Sequence, residues 1–123
     1  MSTRTEVAAA LDAAEAVLRR RQREYFSTPS VMSGRTPRSQ WLNAARHAAL
    51  CGLLRNAWEG VSDILRADHV LTARDSSLMS EAAATAASYH DMQRQEWRAL
   101  AVRLAPQVVQ QDEIESSILA ERG

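Results

Sequence analysis

Ala44, His47, Cys51, Leu54, Trp58, Val61 and Leu65 follow one another at spacings of three and four without a break. That is the stripe a helix turns toward a packed partner, and it predicts one helix over about 37–67. Thr36-Pro37 marks its start: an N-cap residue, then a proline where the missing amide hydrogen costs nothing. Upstream, Val7, Leu11, Ala14 and Leu18 form a second stripe that leads toward Tyr25 and Phe26. It predicts a helix over about 3–26, opened by the capping-box pattern Thr3-Arg4-Thr5-Glu6. Pro29 disfavours helical geometry in the residue before it, and the prolines, glycine and hydroxyls that follow read as a long loop at 27–36.

A third stripe presents Met79, Ala82, Ala86 and Tyr89, then shifts phase to Trp97, Leu100 and Leu104. It predicts a helix over about 75–104, capped by Thr72 or Asp75. Pro106 breaks or kinks it and leaves Val108, Val109, Ile114, Ile118 and Leu119 to a short C-terminal helix. The expected fold is therefore all-α, a single domain over 1–123. Its three main helices form an antiparallel bundle, with a short fourth helix behind them.

Composition narrows this picture. Alanine supplies much of the 46% hydrophobic content and aromatics only 5%, so packing must come from close backbone approach rather than from large side chains. The formal net charge is zero, which removes any global pull toward nucleic acid or an anionic membrane. Its distribution is uneven: residues 19–66 carry nine arginines against three acids, +6, and residues 67–123 five arginines against nine acids, −4. A basic middle and an acidic end suit packing within one chain or head-to-tail contact between copies. All fifteen basic residues are arginine, a bias that a GC-rich genome produces without any binding requirement. A single cysteine excludes an intramolecular disulfide, and neither a signal peptide nor a membrane span is visible, so a cytoplasmic or intravirion protein is expected.

Trp58-Glu59-Gly60, near the chain centre, resembles the W-x-G of the WXG100 family of small secreted two-helix hairpins. The resemblance implies secretion and a chain reversal at Gly60. The family's C-terminal Y-x-x-x-[DE] pattern departs here, since Gln93 stands four residues after Tyr89. The helical stripe instead runs through Gly60, where glycine costs about 1 kcal/mol relative to alanine inside a helix.

Candidate contacts follow from these stripes. Cys51, Leu54, Trp58, Val61, Leu65, Tyr89 and Trp97 form the expected core or interface face. Ala44, Ala48 and Gly52, four apart, make a smooth strip for close helix approach. If the second helix is not central, one of its two faces is left for another chain. Arg19, Arg20, Arg21 and Arg23 precede two aromatics and, with the loop arginines Arg35 and Arg38, could contact phosphates and stack on bases. Helical geometry turns consecutive residues 100° apart, so the run cannot all face one duplex. His47 and Cys51 share a helical face, a spacing that seats two metal ligands, yet His69 or His90-Asp91 would have to complete the set; no metal or cofactor is expected.

No nucleophile elbow, phosphate-binding loop or paired catalytic carboxylates are visible, and no enzyme is expected. The expected function is that of a non-enzymatic assembly or adaptor protein working through helix-to-helix contacts, a homo-oligomer in a bacterial or phage setting. The partner is then a protein, or the chain itself. The alternative is a nucleic-acid-binding regulator built on Arg19–Arg23.

Overall fold

The computed structural model describes residues 4–67 and 73–122. Three helices pack together, and no strand occurs among the described residues. Helix α1 spans Arg4–Ser27, helix α2 Pro37–Ala67 and helix α3 Ala73–Arg122, with one turn of 3-10 helix at Val31–Ser33. The Thr3 cap, the connection at 68–72 with Thr72, and His69 lie outside the described residues; Asp75 stands inside α3 rather than capping it.

Helix α1 turns Leu11, Ala14, Leu18 and Tyr25 inward, while Phe26, placed by its stripe at the same inner face, is 82% exposed. One residue of helix rotates a side chain by 100°, so Tyr25 and Phe26 cannot share a face. The helix ends where hydroxyls compete for its last carbonyls: Thr28 Oγ1 donates to the Glu24 carbonyl at 2.8 Å and Ser27 Oγ to the same oxygen at 3.1 Å.

The connection that follows is more ordered than a loop of its composition suggests. Val31 is buried against Ala44, Ala101 and Leu104, plugging the end of the molecule. Asn43 Nδ2 donates to the Ser30 carbonyl at 3.1 Å and Gln40 Nε2 to the Gly34 carbonyl at 3.1 Å, so the segment is tied to α2. Thr36 and Ser39 then cap α2 reciprocally: the Ser39 amide donates to Thr36 Oγ1 at 3.1 Å and the Thr36 amide to Ser39 Oγ at 3.0 Å.

Helix α2 runs unbroken through Gly60, and no residue described has a positive φ. The reversal implied by the W-x-G resemblance does not occur. Ala44, His47, Cys51, Leu54, Val61 and Leu65 are all buried along it. Leu54 and Cys51 form the middle; one cluster at the N-terminal end gathers Val31, Ala44, Ala101 and Leu104, and one at the other end Val61, Leu65 and Ala83.

Helix α3 departs from expectation twice. It continues through Pro106 to Arg122, bent but unbroken, so the separate C-terminal helix is instead its extension. Pro106 lies at the surface, where bending relieves the clash of its ring with the preceding turn. Second, its buried face runs through Ser80, Ala83 and Ala87, one residue away from the stripe of Met79, Ala82 and Ala86. Small residues win that seam because they let α3 approach α2 closely. The Ser62 and Ser80 hydroxyls meet at 3.1 Å, which larger side chains would prevent.

Candidate interaction surfaces

The middle of the molecule is a polar-aromatic cluster built by all three helices. The His47 ring lies between Tyr25 of α1, edge-on at 5.3 Å, and Trp97 of α3, tilted at 4.4 Å between centroids. Its Nδ1–H donates to the Asn43 carbonyl at 2.8 Å, which fixes the tautomer because a carbonyl can only accept. Cys51 is fully buried one turn further along α2. Burial pushes the Cys51 thiol up from its ordinary range, and burial likewise raises the Tyr25 phenol. A thiol held neutral is a weaker nucleophile than an exposed one. Among the described residues no group of three or more His, Cys, Asp or Glu stands where it could hold a metal ion.

Between α2 and α3 runs a polar groove of about 540 Å³ lined by Arg55, Glu59, Asp63, Arg66 and Asp91, with Ser62 at its floor. Two of its charges, Arg55 and Asp91, form an ion pair. Arg55 donates to Asp91 at 2.7 Å and Arg94 to the same oxygen at 3.1 Å, and these bonds, Arg55 first, hold the Asp91 carboxyl below its usual range. Arg66 Nε donates to Ser80 Oγ at 3.2 Å. The Asp91 end of the groove is thus an ion-paired helix seam, with Glu59 and Asp63 on its opposite wall.

The expected interface residues divide between inside and outside. Cys51, Leu54, Val61 and Leu65 are core; Trp58 and Trp97 are half-buried against the two end clusters. Tyr89 is 55% exposed and falls out of the face it was assigned, for the same one-residue offset that exposes Met79. The Ala44, Ala48 and Gly52 strip is used within the chain: Ala44 touches Ala101 and Leu104, and a Cβ on Gly52 would stand 3.3 Å from Arg94 Cδ. α2 packs against both α1 and α3 and is the central helix, while Leu42, Arg46, Ala49, Leu53 and Asn56 along it stay exposed.

The arginine run is spread around α1. Arg19 pairs with Glu15, and Arg20 and Arg21 both pair with Glu24, whose carboxyl the Arg21 hydrogen bond holds low. Arg23 is exposed and has no carboxylate partner among the described residues; with Arg19, Gln22, Phe26 and Ser27 it lines a shallow groove of about 590 Å³. Arg38 pairs with Asp112 and, at 3.7 Å, with Glu115, fastening the start of α2 to the far part of α3. Arg35 is exposed.

One surface was not foreseen. Residues 112–122 of α3 are all exposed, and the apolar Ile114, Ile118 and Leu119 lie open among Asp112, Glu113, Glu115 and Glu121. The pattern of Ile114 and Ile118 four apart was visible in the sequence, but assigning it to a separate helix hid its projection from the end of a long one. No family model, curated protein or solved structure matches the chain. Among the described residues no helix is long and apolar enough to cross a membrane.

Proposed function

We propose that this chain is a non-enzymatic assembly or adaptor protein that works as an oligomer through helix-to-helix contacts. One observation carries the reading: the single chain exposes 8502 Å². A compact monomer of its 13.6 kDa exposes about 6,600 Å² by the usual scaling with mass. The excess, near 1,900 Å², is more than the ~800 Å² that each partner buries in a standard interface. It includes open apolar side chains at Phe26, Met32, Val102, Val109, Ile114 and Leu119. Light scattering on the purified protein tests it: a mass of two chains or more is expected, and a monomer at high concentration removes it.

In this reading the chain acts on other protein surfaces, its own included, inside the cell or an assembled particle. A second reading, a nucleic-acid-binding regulator, is favoured by exposed Arg19, Arg20, Arg23 and Arg35 on one end of the molecule. The pairing of Arg19, Arg20 and Arg21 with glutamates leaves fewer cations for phosphates and ranks it below assembly. It requires a salt-dependent mobility shift on DNA or RNA that weakens when Arg20 and Arg23 become Gln; no shift at low salt ends it.

A further inference from the structure

The two open surfaces just described stand at the same end of the molecule. Helix α1 finishes there and reaches the start of α2 through the short Val31–Ser33 turn, and the Arg38 pairs place Asp112 and Glu115 of α3 beside that same start. Beyond Glu115 α3 goes on to Arg122 with every residue exposed, a further length of about 10 Å at 1.5 Å per residue over residues 116–122. Asp112 and Glu115 are engaged by Arg38, which leaves Glu113 and Glu121 as the open acids of this end, with Arg122 beside them. Ile114 and Ile118 share one face of it, with Glu121 a turn further on.

The groove on α1 is its complement. Arg19, Gln22, Arg23, Phe26 and Ser27 repeat at helical spacing along one side of α1, so Phe26 offers an open ring with guanidinium groups on the turns before it. Residues 15–27 carry four arginines against Glu15 and Glu24, a net of +2, and Arg23 has no carboxylate partner among the described residues. Within one chain this apolar α3 face is only partly covered: Ile114, beside Pro37, is 55% exposed and Ile118 43%.

We infer that the occupant of each surface is a second copy of this chain: the α3 end of one protomer, through Ile114, Ile118, Glu113 and Glu121, docks on the Arg19–Phe26 groove of the other. This rests on the oligomeric reading above and gives it a geometry. Because donor and acceptor lie at one end, two copies meeting end to end about a two-fold axis make both contacts at once, which closes the assembly as a dimer rather than a filament. Opposite charge steers the encounter and apolar contact holds it, so the dimer weakens with salt without disappearing.

The test is a charge swap read by light scattering, with helicity checked by circular dichroism. The acidic-end variant Glu113→Arg/Glu121→Arg and the groove variant Arg19→Glu/Arg23→Glu alter exposed positions only, so both keep the wild-type helical signal. Wild type is expected as a dimer, each variant alone at least ten-fold weaker in self-association, and their equimolar mixture restored to dimer, since each then meets the opposite charge. A wild-type dimer that neither variant weakens, or weakening without rescue in the mixture, overturns this docking while leaving the oligomeric reading intact. A monomeric wild type overturns both.

Discussion

The Trp97 indole Nε1–H donates to the Tyr25 hydroxyl at 3.3 Å, joining α3 to α1 across the His47 ring of α2. Three helices are thereby tied at one level by a bond between residues far apart in the chain. Tyr25→Phe keeps the ring and removes the acceptor, and it is expected to cost about 1 kcal/mol in urea denaturation. The same level sets the alkaline limb of stability. Burial raises both the Tyr25 phenol and the Cys51 thiol, so above about pH 9 the unfolded chain releases protons that the native one retains. Stability is therefore full below the unfolded values and falls as pH rises toward the raised native ones. Cys51→Ala is expected to start that fall about one pH unit later, whatever it does to stability at neutral pH.

Acid acts through another pair. Asp91 is held low by hydrogen bonds from Arg55 and then Arg94, so its contribution is present above about pH 4 and is lost as pH falls through the depressed native value. Asp91→Asn should flatten the decline of unfolding midpoint between pH 4 and 2. An unchanged acid limb would mean that this pairing has no linkage to folding.

Gly60 and Gly34 predict opposite outcomes of one substitution. A Cβ at Gly60 meets nothing within 4 Å on a continuous helix, so Gly60→Ala should stabilise by about 1 kcal/mol and raise Tm by roughly 4 °C. A Cβ at Gly34 would stand 2.7 Å from the Gln40 backbone nitrogen, so Gly34→Ala forces the connection off α2 and should cost about 1–3 kcal/mol. Thermal melts of the two variants check the pair. Destabilisation by Gly60→Ala would place a turn or a close contact where the helix is described as open.

Pro106 bends α3 at an exposed position without ending it. Pro106→Ala should restore one helical hydrogen bond and stabilise by up to about 3 kcal/mol. If the bend aims the α3 end at its docking groove, the same variant self-associates more weakly than wild type while melting higher. Sedimentation and melting of one sample separate the two effects.

Much of the layout was readable because α2 carries its own record: Thr36-Pro37 marks its first turn, and the stripe from Ala44 to Leu65 keeps phase through Gly60. The α3 seam was not readable, because Ser80, Ala83 and Ala87 carry no hydrophobic contrast against neighbouring alanines, and the larger Met79 and Tyr89 drew the stripe one residue away. Pro106 misled for a different reason. A surface proline signals a break in sequence, yet bending lets the helix continue after it. The same misreading concealed the exposed α3 end, whereas the close-packing strip of Ala44, Ala48 and Gly52 meets α3 at Ala44 and Gly52.

The mass of the wild-type protein in solution, measured by light scattering across concentration and ionic strength, bears most directly on all of this. A dimer of twice 13.6 kDa that loosens in high salt is predicted. A 13.6 kDa monomer at every concentration would contradict it, and with it the reading of the exposed α3 end as an assembly surface.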